Sequence, residues 1–207
     1  MIDYLTRHPE RIWVPFAEHI QILLIVLVLS VALASVLTVL SMQWKGLGQA
    51  LNHLFSVIYS IPSLALFAIL IPVTGLGMKT AVLVLAAYNQ YLLLRNFLTG
   101  LNEVDPAVVE AARGMGMTEM QTLFRVRVPL AKRALFAGVR LAVMSTIGIG
   151  TIAASINAGG LGTLLFDGLR TMNTAKILWG SLLSAGLAIA MNGLLKWAEN
   201  RMGGRPA

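Results

Sequence analysis

Apolar residues in this chain come in runs rather than in stripes. Five runs reach or approach the ~20 residues a helix needs to cross a bilayer. They are Ile20–Met42, Leu54–Val73, Met78–Leu94, Ala134–Ile156 and Ile177–Leu195, the third being the shortest. A soluble helix would show apolar positions recurring every three or four residues, and a half-buried strand would alternate. Neither period holds across these runs, so the pattern predicts an all-α polytopic membrane protein with five transmembrane helices. The third and fourth runs are separated by a long polar stretch, Glu103–Arg133, which is too charged to lie in lipid.

Local signals divide that stretch into two short helices. Asp105-Pro106 reads as a start, because Asp caps a helix and Pro suits its first position. Gly114 and Gly116 end or bend the first helix. Thr118 and Gln121 stand at capping-box spacing and open the second. Pro129 is expected to stop or kink that helix before the fourth crossing. On the first helix, Glu110 is placed to carry a buried or partner-facing charge. Ala111 and Ala112 would let another surface come close to the backbone.

The first residues do not read as a cleavable signal peptide. Arg7, Glu10, Arg11 and Glu18 scatter through them, and no small-residue cleavage site follows the first apolar run. Trp13 and Phe16 instead fit a short helix in the membrane interface. The expected organisation is an N-terminal interfacial segment over 1–18, a transmembrane domain over 19–198 and a tail over 199–207.

Composition agrees with a membrane protein. Of 207 residues, 57% are hydrophobic and 12% charged; a soluble domain carries about 25% charged residues. Mean hydropathy is +0.77. With no cysteine, disulfides, thiolate metal sites and cysteine nucleophiles are excluded. The net charge of +7 raises nucleic acid as a partner, but no basic stripe interleaved with aromatics supports it. Basic cytoplasmic loops explain the charge better. Placing Glu103–Arg133 in the cytoplasm puts 11 of the 16 Lys and Arg residues inside and 5 outside. The expected orientation is therefore N-terminus outside and C-terminus inside.

Several intramembrane residues are candidates for a translocation path. Pro62 lacks an N–H and should kink or loosen the second crossing. Tyr59, Ser60 and Ser63 flank it, placed to satisfy the freed carbonyl or to face the path. Asn89 and Gln90 in the third crossing either line the path or bond between helices, the second being the commoner use of such residues. Ser145, Thr146, Thr151 and Ser155 interleave with Gly148 and Gly150, a pattern that also suits close helix packing. Gly159, Gly160 and Gly162 form either an external gate or docking loop, or a tight turn requiring positive φ. Tyr59, Tyr88 and Tyr91 are the nearest approach to an aromatic cluster. A secondary transporter would need an ionisable residue inside the membrane for ion coupling, and the first, second and fifth runs contain no Asp, Glu, Lys, Arg or His. No His pair, Asp pair or Ser-Lys arrangement at membrane depth supports an intramembrane enzyme.

The central stretch has a specific register: Glu110-Ala111-Ala112, three residues, Gly116, nine residues, Val126, one residue, Val128-Pro129. It resembles the EAA loop of ABC importer permeases, with Val in place of the usual Ile and Leu. The resemblance extends from about His19 to Trp197. It implies a type I importer permease fold with five crossings, in the bacterial cell (inner) membrane. In that family the loop is a cytoplasmic coupling helix seated in a groove of a separate ABC ATPase. This chain carries no Gly-Lys-Ser/Thr phosphate loop, so no cofactor is expected in it; ATP and Mg would be bound by the partner ATPase. One loop per chain and two ATPases imply a second permease, either another copy or a sister subunit. An extracytoplasmic substrate-binding protein would be a separate polypeptide.

Further stretches resemble one branch, the permeases for the quaternary-amine osmoprotectants glycine betaine, choline and carnitine. They are Ile61-Pro62-Ser63-Leu64-Ala65-Leu66, Arg95-Asn96, Val104-Asp105-Pro106-Ala107 and Ala158-Gly159-Gly160-Leu161-Gly162. Methionine permeases share the loop and a similar glycine run. The branch often has a proline shortly before Arg-Asn, where this chain has Tyr88-Asn89-Gln90-Tyr91. Methionine or another small zwitterion stays open as cargo.

Overall fold

The computed structural model describes residues 9–44 and 46–202. Among these residues there are helices and turns but no strand. The helices are α1 (Glu10–Gln43), α2 (Leu47–Ser60), α3 (Ser63–Thr74), α4 (Met78–Asn102), α5 (Pro106–Gly114), α6 (Glu119–Thr122), α7 (Val128–Ile152), α8 (Gly162–Arg170) and α9 (Thr174–Arg201). A π-helical turn over Leu123–Arg127 joins α6 to α7, and a 3-10 turn over Ala153–Ile156 ends α7. Four helical stretches are long and apolar enough to cross a membrane, and five if the bent pair α2–α3 is one span.

The expected short N-terminal helix is not separate. Residues 10–18 run without a break into α1, a helix of 34 residues, or ~51 Å at 1.5 Å per residue. Residues 1–8 of that segment lie outside the described residues. Phe16 packs against the buried cluster of Leu23, Val143, Ile147 and Leu187. Trp13 stays exposed and meets Phe16 edge to face, with ring centroids 5.8 Å apart.

Helices α1, α4 and α7 form the centre of the bundle. The broken pair α2–α3 lies on the α4 side, and α8 and α9 lie against α7. The α4–α7 seam is close because its residues are small: a Cβ on Gly100 would overlap that of Ala134. Small side chains let membrane helices approach and gain van der Waals contact, where lipid offers little hydrophobic drive.

A polar node sits inside this apolar centre. Asn89 of α4 donates its amide to Thr146 Oγ1 of α7 at 2.9 Å and to Ser30 Oγ of α1 at 3.3 Å. Gln90 donates to the Ser30 and Ala86 carbonyls, both at 3.2 Å. All four side chains are buried. Asn89 and Gln90 are thus buried and bond between helices, the second of the two uses expected of them. A polar amide in hydrocarbon is costly without a partner, so the node fixes which faces of the three helices meet.

The second crossing breaks sharply where the proline predicted it. Helices α2 and α3 meet at 99°. Pro62 offers no N–H to Ile58, whose carbonyl accepts from Ile61 N at 3.2 Å instead. Ser60 Oγ donates to the Val57 carbonyl at 2.7 Å. The half-buried carbonyl of Ile61 is satisfied from another helix, by Tyr88 Oη of α4 at 2.5 Å.

Ion pairs close the far side of the bundle. Arg140 of α7 meets Glu199 of α9 at 3.0 Å. Asp167 of α8 meets Lys176 of α9 at 2.5 Å and Arg170 at 3.1 Å. Helix α8 itself follows the glycine run, between the fourth and fifth apolar runs.

Replacing Asn89 by Ala removes two interhelical bonds and should cost about 1 kcal/mol, read as a lower unfolding midpoint of the purified protein. Asp167 gives a pH signature. The hydrogen bond from Lys176, then that from Arg170, hold its carboxyl below the ordinary 3.8. A depressed folded pKa gives stability that is complete above the unfolded value and is lost as pH falls through the folded one. The midpoint should therefore drop modestly on acidification below about pH 4. Asp167→Asn, having no proton to take up, should lower the midpoint at pH 7 and flatten that acid limb.

Candidate functional site: the loop between α4 and α7

The loop is held by its own caps. Asp105 Oδ1 accepts from Ala107 N at 2.8 Å, and Pro106 takes the first turn of α5. At the other end Gly116 N donates to the Arg113 carbonyl (2.9 Å) and Met117 N to the Ala112 carbonyl (3.2 Å). This pair of bonds is a Schellman motif, which needs a left-handed residue, and Gly116 supplies φ +82°. Thr118 and Gln121 then form the capping box reciprocally, at 2.9 and 3.2 Å. Arg113 and Glu119 pair across the corner at 2.9 Å. Two helices, a glycine corner, three side-chain caps and one ion pair thus specify one shape from local sequence.

The loop has an inner and an outer face. Val109 packs with Leu101, Val104, Leu123 and Ala131, and Ala112 is also buried. Glu110, Ala111 and Gly114 are exposed on the outer face. Only one of the two expected contact alanines, Ala111, therefore faces outward; Ala112 seats α5 on the bundle. Val128 is half-buried against the same cluster, Val126 is half-buried and Pro129 is exposed. A cavity of about 500 Å³ opens beside α5, with Glu110, Arg113 and Arg127 in its lining.

Pro129 does not stop the helix. A continuous helical rod runs from Glu119 to Ile156. The π turn at Leu123–Arg127 lies just before the proline, and Val128 N reaches back to the Leu123 carbonyl, five residues away. The wider turn absorbs the bond that Pro129 cannot make.

At the opposite end, Gly159 and Gly160 both have φ +82°. Glu18 Oε2 accepts from Gly160 N at 2.8 Å, and the buried His19 Nδ1 accepts from Leu161 N at 3.4 Å. A Cβ on Gly162 would overlap the Thr151 carbonyl oxygen. The glycine run is therefore a tight turn with positive φ, clamped to α1. Thr151 Oγ1 donates to the Gly148 carbonyl, and Ser145 is half-buried on α7.

The remaining candidates collect at the α2–α3 break. Tyr59 and Ser60 are exposed, Ser63 is half-buried and Pro62 is exposed. Tyr59 meets Tyr88 at 5.6 Å edge to face and Tyr91 at 5.0 Å with a 33° tilt. The three tyrosines do form one cluster. The sequence reading missed their polar neighbours Asn52, His53, Ser56 and Arg95, which line a cavity of about 240 Å³ with Tyr91. Their signal was present: Asn52, His53, Ser56 and Tyr59 recur at helical spacing along one face of α2.

Apolar spans around a buried polar node, with one structured loop outside them, define a multi-pass α-helical membrane protein. Residues 30–204 match the family described as binding-protein-dependent transport system inner membrane component. The chain is 34% identical over 203 residues to the carnitine transport permease protein OpuCD of Listeria monocytogenes, covering 98% of this chain and 91% of that one. It is 44% identical over 128 residues to the ergothioneine transport permease/ergothioneine binding protein EgtU of Helicobacter pylori, covering 62% of this chain and 23% of that one. Its fold is similar to a chain of the MetNI methionine ABC transporter solved in inward-facing conformations, with TM-score 0.86, 18% identity and coverage of 93% and 96%. The chain belongs to the family of binding-protein-dependent transport permeases.

Gly116 and Gly162 should respond differently to substitution. A Cβ at Gly116 meets nothing within 4 Å, so Gly116→Ala carries only backbone strain, of about 1 kcal/mol. Gly116→Asn should cost less, since Asn tolerates the left-handed region. Amide exchange of residues 106–122 should therefore rise more in Gly116→Ala than in Gly116→Asn. Gly162→Ala should instead abolish recovery of folded protein, read by size-exclusion chromatography.

Proposed function

We propose that this chain is the permease subunit of an ATP-driven importer of quaternary-amine osmoprotectants, working by alternating access. The observation that carries the reading is the register Glu110–Pro129 on a capped, two-faced helical loop outside the bundle. A loop whose inner face is already satisfied and whose outer face presents Glu110 and the small Ala111 and Gly114 fits a docking element. Its partner is a cytoplasmic ABC ATPase, which binds ATP and Mg. The loop then lies in the cytoplasm, with the N-terminus outside and the C-terminus inside, in agreement with the distribution of Lys and Arg. A second permease supplies the second loop, and an extracytoplasmic binding protein delivers cargo. Tight selection would rest with that binding protein, since strong binding within the permease would slow release.

Carnitine and ergothioneine, which the two relatives are named for, share a trimethylammonium group and a carboxylate. That shared chemistry favours trimethylammonium cargo over methionine, whose amine is primary.

The test is uptake into proteoliposomes by the complete importer with carnitine, glycine betaine, choline and methionine. Uptake of trimethylammonium compounds and not methionine is expected; the reverse would move the chain to another cargo. Glu110→Lys places a like-signed or unpaired charge at the docking face and should lower cargo-stimulated ATPase activity at least about tenfold while the protein still inserts. Normal coupling by this variant would overturn the docking role.

A further inference from the structure

Helix α2 has no buried residue, although it lies within a candidate span. Its polar residues Gln49, Asn52, His53, Ser56 and Tyr59 recur three or four apart and so share one face. A polar stripe at membrane depth faces protein or a watered cavity, not lipid. Opposite it, α4 presents Tyr88, Tyr91 and Arg95, again at helical spacing. Arg95 Nη1 donates to Tyr91 Oη at 2.8 Å, and the guanidinium carbon lies 5.9 Å from the Tyr91 ring centroid.

The chemistry of this patch is two-ended. At one end are the tyrosines, with Tyr59 37% exposed; an aromatic face attracts a quaternary ammonium by cation–π interaction. Beside it is the cavity of Asn52, His53, Ser56, Tyr91 and Arg95. Arg95 is exposed and lies in no ion pair among those described. The Asn52 side-chain oxygen is enclosed with no hydrogen-bond partner among the described residues. Asn52 also lines a second cavity of about 690 Å³ with Gln49, Asn102, Glu103 and Arg127, so polar surface continues toward the loop end of the bundle.

We propose that this patch is a transit site for a zwitterionic quaternary amine, with Tyr59 and Tyr91 taking the trimethylammonium and Arg95 the carboxylate. The inference rests on the proposed function and adds a specificity rule to it. Arg95 favours cargo bearing a carboxylate over choline, which has none. Arginine suits the role because its guanidinium binds a carboxylate in a bidentate fork. The site is open on one side and its tyrosines are few, which suits brief occupancy.

The test measures binding to the purified permease–ATPase complex without the binding protein. Glycine betaine and choline are the probes, each at millimolar concentration, followed by saturation-transfer NMR of the trimethylammonium protons. Both probes should give signals that Tyr59→Ala removes. Arg95→Gln should reduce the glycine betaine signal at least fivefold and the choline signal by less than twofold. Arg95→Lys keeps the charge and should retain part of the glycine betaine signal. Tyr91→Phe keeps the ring while deleting the bond to Arg95, and should leave both probes bound. No wild-type signal, equal loss of both probes in Arg95→Gln, or an unchanged signal in Tyr59→Ala overturns the site. None of these results touches cargo uptake by the complete importer, whose failure would overturn the parent reading instead.

Discussion

The polar node at Ser30, Asn89, Gln90 and Thr146 sets the arrangement on which the rest depends. Lipid and leucine are equally apolar, so apolar faces alone do not choose a rotation for a membrane helix. Two amides that must find oxygen atoms do choose one. Once α1, α4 and α7 are rotationally fixed, Tyr88 points at the α2–α3 break and Arg95 at the polar face of α2. On α7, Arg140 reaches Glu199 of α9. The loop also follows, because its inner face closes on Leu101 of α4 and Ala131 of α7.

The broken span shows how a membrane protein keeps irregular backbone at depth. Pro62 removes one bond, and the strand of chain around it re-pairs by three different routes: a tighter turn, a serine hydroxyl and a tyrosine from another helix. The break therefore costs few unsatisfied groups, and it leaves the tyrosines gathered at a bend rather than spread along a straight rod. The aromatic cluster and the kink are one feature.

Much of this was legible in the sequence because it is local. The caps at Asp105, Gly116 and Thr118, and the bend at Pro62, act within a few residues and appear where the pattern places them. What was missed depends on partners distant in the chain. Phe16 reads as an interfacial ring, but its packing on Leu23, Val143 and Leu187 was not legible. Ala112 reads as a contact surface until the loop folds back on Val104 and Leu123. For Gly159 and Gly160 the tight turn was one of two readings, but the clamp on it was not legible, because Glu18 and His19 lie 142 positions earlier. Pro129 signalled a disturbance of the helix, but not that a π turn ahead of it would let the helix continue.

The single rod from Glu119 to Ile156 makes the two ends of the bundle mechanically dependent. A helix is stiff along its axis, and 38 residues reach ~57 Å. Its lower end carries the capped corner at Gly116, and its upper end leads directly into the glycine turn clamped by Glu18. The two ends are joined by one run of helix whose winding widens at the π turn over Leu123–Arg127 and tightens at the 3-10 turn over Ala153–Ile156. The clamp at Glu18 and His19 ties the turn that follows its far end to α1, so that end of the rod is anchored to a second long helix.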